Sequence, residues 1–141
     1  MVLFSKDRIL VPIDFSDASF KALEETLAFA DASTVVHAIH VLSPLEPTDP
    51  GVVWQAVDAD KREGNIRKAF AEKFPDHQEK VTFAVDTGKP EAKIIDYAKH
   101  HDIGLIVMPS QGRTGLPRFF LGSVTERVMR FSHCPVLVLR D

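Results

Sequence analysis

Two stretches late in the chain, Gly112-Arg113-Thr114-Gly115 and Gly122-Ser123-Val124-Thr125, have the composition of an anion cradle. Glycine lets backbone N–H groups approach a phosphate closely and form a concave nest. The open N–H groups and dipole of a helix beginning near Gly122-Ser123 favour the same charge. Ser123, Thr125 and Thr114 can donate hydroxyls, and Arg113 and Arg118 can supply positive charge. The same residues also read as plain structure, with Gly115 permitting a positive φ in a turn and Ser123 capping the helix. The Pro109–Leu121 connection holds 13 residues, where ordinary βα loops run about 2–6. That length, with the basic and hydroxyl-rich content, favours phosphate. Earlier in the chain, Asp14 suits a Mg²⁺ ion or a ribose hydroxyl, and equally a helix cap beside Ser16.

Other residues that could do chemistry read better as structure. There is no Gly-x-x-x-x-Gly-Lys-Ser/Thr, Gly-x-Gly-x-x-Gly or Gly-x-Ser-x-Gly, which argues against ordinary P-loop enzymes, dinucleotide dehydrogenases and nucleophile-elbow hydrolases. Cys134 precedes Pro135 at a buried strand and suits a small core residue better than a nucleophile. His37 and His40 point to opposite faces of one strand, so they share no metal. His100 and His101 suit the C-terminal end of a helix. Trp54 and Phe119-Phe120 are packing residues before they are ligand clamps.

These groups need a scaffold, and the apolar pattern supplies one. Arg8–Ile13, Val35–Leu42, Val81–Val85, Gly104–Met108 and Pro135–Leu139 read as buried strands. The near-continuous runs in them belong to parallel strands covered on both faces. Between them lie four helical patterns. The first carries Phe20, Leu23, Leu27 and Ala30 after a Ser16 cap. The second runs from about Val53 to Phe74 with a stripe of Ile66, Ala69, Phe70 and Phe74, its middle from Asp58 to Glu63 solvated. The third begins at Pro90 and reaches about His100, and the fourth carries Val124, Val128 and Phe131. Strand and helix alternating four times, with right-handed crossovers, give an open doubly wound α/β sheet. Ligands bind such sheets beyond the carboxyl ends of the strands. That edge gathers Pro12-Ile13-Asp14, His40-Val41-Leu42, Met108-Pro109 and Gly122-Ser123-Val124. Ser43–Val52, with three prolines and a glycine, is the second long connection.

Composition excludes several function classes. At 141 residues the chain reads as a single domain over 1–141. Hydrophobic residues at 45% and charged residues at 26% fit an ordinary globular protein rather than a disordered one. A net charge of −3 shows no basic footprint for nucleic acid. One cysteine fits a reducing compartment. With neither a bilayer-length apolar run nor a signal-peptide pattern, the expectation is a cytoplasmic protein without membrane insertion.

Several motifs together resemble the universal stress protein family. Members carry Gly-x-x-Gly, nine residues, then Gly-Ser or Gly-Thr; here Pro109-Ser110-Gln111-Gly112 is followed after nine residues by Gly122-Ser123. The opening Arg8-Ile9-Leu10-Val11-Pro12-Ile13-Asp14-Phe15-Ser16 and the closing Cys134-Pro135-Val136-Leu137-Val138 extend the resemblance over essentially the whole chain. Pro109 departs from the motif's first glycine, fixing φ and removing one donor. The resemblance implies an adenine nucleotide alpha hydrolase-like sheet of order 3-2-1-4-5 with helices on both faces, and bound ATP; the Mg²⁺ option at Asp14, read from the residue itself, would then be an indirect contact. It places Pro12, Ile13 and Asp14 by the ribose and phosphates, and Val41 and Met108 by adenine. Gly112, Arg113, Gly122, Ser123 and Val124 then hold the phosphates, and the loop's own composition adds Pro109, Thr114, Gly115 and Thr125 to the expected cofactor-binding residues. It also implies a homodimer through Pro135–Leu139, with a tetramer as the larger option.

The expected function is nucleotide-dependent regulation in a stress response, acting through oligomerisation or a protein partner such as a transporter or kinase. Two rival readings stand beside it: a slow ATPase or phosphoryl or adenylyl transferase, and an interaction module without nucleotide.

Overall fold

Ile9-Leu10-Val11 and Leu105-Ile106-Val107 are apolar at every position, so their strands gain by burial on both faces. In the computed structural model, which describes residues 3–44, 55–75, 80–110 and 121–140 (55–60 through their backbone alone), they do so at the centre of a sheet. The elements run β1 Arg8–Pro12, α1 Asp17–Phe29, β2 Val35–Leu42, α2 Gln55–Lys73, β3 Val81–Thr87, α3 Pro90–His100, β4 Leu105–Pro109, α4 Ser123–Phe131 and β5 Val136–Leu139. All neighbouring pairs of strands are parallel, in the order β3-β2-β1-β4-β5. The order reverses between β1 and β4, and there the chain leaves a crevice at the carboxyl edge.

Side chains alternate between two cores. Ile9, Val11, Ala38, Leu105 and Val107 pack with Phe20 and Leu23 of α1 and Phe70 of α2. Leu10, Ile39, Ile106 and Met108 pack on the other face with Ile94 and Ala98 of α3 and Val128 of α4. Each strand therefore fixes which of its residues can look over the edge and toward which helices.

Several boundaries and faces differ from the sequence reading. β1 ends at Pro12, β3 continues past Val85 to Thr87, and β4 is displaced one residue to end on Pro109. Pro135 stands before β5 rather than in it. In α2, Phe70 and Phe74 are buried but Ala69 is exposed and Ile66 half-buried. At about 100° per residue, Ala69 lies roughly 120° from the midline of those two phenylalanines. In α4 the buried pair is Thr125 and Val128, and Phe131 is 62% exposed. Phe131 lies roughly 90° from the midline of that pair, so i, i+7 spacing from Val124 did not bury it. Cys134 is half-buried beside Ser132, its Sγ 3.4 Å from the Ser132 Oγ. Trp54, Arg118 and Phe119-Phe120 lie outside the described residues.

Candidate functional site

A cavity of about 600 Å³ opens at the carboxyl edge of the sheet, over the reversal between β1 and β4. Pro12, Ile13, Asp14, Val41, Met108, Pro109, Gly122, Ser123, Val124 and Thr125 all line it. Gly112, Arg113, Thr114 and Gly115 lie outside the described residues. The cavity walls also take in Ile39, His40 and Ser43 from the end of β2, Arg62 from α2, and Pro90 and Ile94 from α3.

The β1–α1 turn is tightly specified. The Ser16 N–H donates to the Asp14 Oδ1 at 2.9 Å, and the Ser16 hydroxyl donates to the same oxygen. Ser16 in turn caps α1, accepting from the Ser19 N–H at 3.1 Å. Asp14 is thus tied to the helix cap while its carboxylate borders the cavity. Next to it, Phe15 adopts φ of 64°, a left-handed conformation that costs a non-glycine residue about 1–3 kcal/mol. Edge-to-face packing on Phe20 and His40, at 5.4 and 4.9 Å between centroids, holds it there.

The fourth helix meets the cavity with its amino end. Its first intrahelical bond runs from the Glu126 N–H to the Gly122 carbonyl at 2.9 Å. The N–H groups of Ser123, Val124 and Thr125 precede that bond and have no carbonyl within the helix to meet. Gly122, not Ser123, occupies the capping position, and it makes no side-chain cap. Its φ of −63° is one that any residue adopts, so what glycine provides here is an open approach. The Gly122 N–H itself donates to the Ser110 carbonyl at 2.8 Å.

Thr125 and Pro109 limit the donors that the cavity can use. Thr125 is 4% exposed, and its hydroxyl donates to the Pro109 carbonyl at 3.0 Å. It fastens α4 to the end of β4, a correction to its expected place as a donor to phosphate. Pro109 lacks a donor in an informative direction. The Ile106 and Ser110 N–H groups point to β5, bonding Pro135 and Leu139. Alternation turns the nitrogen of residue 109 toward β1 and the crevice. A glycine there would offer the cavity an N–H that this chain lacks.

Arg62 joins the site from outside the sequence expectations, and His40 takes a role there that its place at the edge did not specify. Arg62 fell in a charged stretch of α2 read as solvated, but its Nη2 donates to the Ser43 carbonyl at 3.1 Å and its side chain lines the cavity. Only the tertiary placement of α2 brings it within reach of the residue that follows β2. His40 stands at the ligand edge as its place at the end of the second strand implies, and its Nδ1 lies 2.6 Å from the Ile13 carbonyl. On the other face His37 bonds the Tyr97 hydroxyl at 2.7 Å, which keeps the two imidazoles apart, as their spacing on the strand requires. Among the described residues, no group of three or more His, Cys, Asp or Glu could hold a metal ion, and no helix is long and apolar enough to cross a membrane.

Comparison with known proteins places this architecture. The family model described as Universal stress protein family matches residues 6–140. The chain is 33% identical over 138 residues to Universal stress protein MJ0531 of Methanocaldococcus jannaschii, covering 94% of this chain and 81% of that protein. Among solved structures it is similar to the universal stress protein UspA from Lactobacillus plantarum, at 28% identity and a TM-score of 0.76, covering 96% of this chain and 98% of that one. It is similar also to the hypothetical protein MJ0577 of M. jannaschii, at 27% identity and a TM-score of 0.75, covering 96% of each chain.

Proposed function

The chain belongs to the universal stress protein family, and from that premise we propose that it is an ATP-binding regulatory protein whose nucleotide occupancy biases an oligomer or a partner interaction. The observation that carries this reading is the cavity over the strand reversal, bordered at once by the ends of β1, β2 and β4 and the amino end of α4. Strand ends at such a reversal supply apolar walls, and the amino end of a helix beside them supplies open N–H groups that suit an anion.

Each part of a nucleotide has a counterpart. Ile39, Met108 and Ile94 offer apolar surface to a flat base. The Ile39 carbonyl accepts from Ile13 on the β1 side, so alternation turns the N–H and C=O of Val41 to that side as well. Beyond the last paired rung they present one donor and one acceptor, which matches the N1 and N6 edge of adenine. Asp14, whose carboxylate borders the cavity, would accept from ribose hydroxyls. The N–H groups of Ser123, Val124 and Thr125, the Ser123 hydroxyl and the helix dipole suit the phosphates. Arg113, Thr114 and the glycines Gly112 and Gly115 join that phosphate group in the proposal. Asp14 is the one carboxylate lining the cavity among the described residues, so Mg²⁺ would enter with the phosphates rather than in a protein cage. ATP would supply its charge and its adenine as the recognised features; no residue here is assigned to turn it over.

The rest of the proposal concerns context. A homodimer pairing through β5 would cover the open edge of the sheet, where Val136–Leu139 bonds only β4 among the described strands. The protein would act in the cytoplasm, as a single domain over 1–141.

Calorimetry on protein stripped of nucleotide tests the reading. ATP with Mg²⁺ should bind, and Gly122→Glu should abolish binding without unfolding, because a carboxylate at the amino end of α4 repels phosphate. Absence of heat at millimolar ATP would sink the proposal, and an intact dimer with no nucleotide affinity would favour an interaction module instead.

A further inference from the structure

In a parallel sheet, a residue on one strand bonds the two residues that flank its partner on the next. Ile13 stands opposite His40, one step beyond the Pro12–Ile39 pair. Its N–H donates to the Ile39 carbonyl at 2.7 Å. The next rung in this register would run from the Val41 N–H to the Ile13 carbonyl. That carbonyl instead meets the His40 Nδ1 at 2.6 Å. A carbonyl only accepts, so Nδ1 carries the proton and donates.

We propose that His40 is a positioning residue that ends the β1–β2 ladder and thereby reserves the Val41 N–H and C=O for the base edge of the bound nucleotide. The imidazole does this by taking the Ile13 carbonyl out of the ladder. It also packs edge-to-face on Phe15, the left-handed residue beside Asp14. One side chain thus sets both the base-facing backbone of β2 and the turn that carries Asp14. On the opposite edge of β2 the ladder ends differently. The Gly88 N–H donates to the Leu42 carbonyl at 2.9 Å, and Pro44 has no N–H to make the following rung. A proline on the β1 side, at 41, would have stopped that ladder too but deleted the donor itself. A histidine at 40 stops the ladder and keeps it.

This inference rests on the nucleotide reading for its ligand, but its structural half can be measured without one. Amide hydrogen exchange by NMR on nucleotide-free protein should show the Val41 amide exchanging much faster than those of residues 36–39. In His40→Leu the ladder should extend, slowing Val41 exchange at least tenfold. ATP affinity should fall about tenfold in that variant and the preference for ATP over GTP should narrow, while binding of inorganic tripolyphosphate stays unchanged. His40→Asn, whose side-chain amide places a donor near the Nδ1 position, should restore fast Val41 exchange and base preference. Unchanged Val41 exchange in folded His40→Leu, or equal loss of ATP and tripolyphosphate binding, overturns the proposal. If wild type binds no nucleotide at all, the functional reading falls, and base recognition falls with it. Val41 exchange in the same two variants then still decides whether His40 ends the ladder.

Discussion

Replacing Thr125 by valine removes one hydroxyl and changes almost nothing else. The two side chains have nearly the same shape and similar helix propensity, so no cavity opens and α4 keeps its backbone preferences. What disappears is the 3.0 Å hydrogen bond to the Pro109 carbonyl. A neutral hydrogen bond contributes about 0.5–1.5 kcal/mol net. Pro109 is half-buried, so water can partly re-satisfy its carbonyl and the middle of that range applies, about 1 kcal/mol. For a chain of this size that lowers the melting temperature by about 3 °C. Urea unfolding should show a lower midpoint with unchanged slope. ATP affinity should stay within about threefold, since the hydroxyl already has its acceptor. Had Thr125 donated to a charged phosphate, its loss would cost about 1.5–3 kcal/mol of binding, or roughly 10–150-fold. A Thr125→Val variant with wild-type stability and tenfold weaker ATP binding would refute the assignment of Thr125 as the fastener of α4 to β4.

Two further predictions concern other parts of the fold. Burial, with the nearby His101 and then Arg8, holds the His37 imidazole below its ordinary pKa of 6.5. The unfolded chain therefore takes up this proton more readily, so the contribution is full above about pH 6.5 and is lost as pH falls below it. His37→Gln should flatten the decline in stability measured by urea titration between pH 7.5 and 5.5, and an identical decline would show that another group drives it. Gly88 has φ of +147°, a conformation that side-chain-bearing residues rarely adopt, whereas the Lys93 Cε that a Cβ there would meet at 2.8 Å belongs to a flexible chain that can move aside. Gly88→Ala should cost about 1–3 kcal/mol in chemical denaturation, and a neutral result would mean that the β3–α3 turn adopts another backbone path.

Much of the edge that carries the candidate site was legible from residue type. Pro12-Ile13-Asp14 and Met108-Pro109 follow apolar runs that suit strands covered on both faces, and strand ends in such sheets border the ligand crevice. Ser16 before a helical pattern is a cap on local grounds, and it caps α1 as expected. Faces of helices were less legible. Two spacings suited Phe131 and Ala69 to burial, yet the midline of each helix face is set by which residues the neighbouring elements reach. Arg62 could not be found in sequence, because a charged residue on an amphipathic helix looks the same whether it faces water or a cavity rim.

The sequence by itself determined the order of elements, the doubly covered strands and the family to which the chain belongs, because these depend on periodicity and on motifs close in the chain. Only the tertiary structure decided how the donors and acceptors are shared out. The Thr125 hydroxyl holds Pro109, the Gly122 N–H holds Ser110 and the His40 imidazole holds Ile13. Each partner lies 12 or more residues away in the sequence, and only the packing of separate strands and helices brings it within hydrogen-bonding reach. The same packing leaves the amino end of α4 and the end of β2 facing the cavity, which residue types alone do not specify.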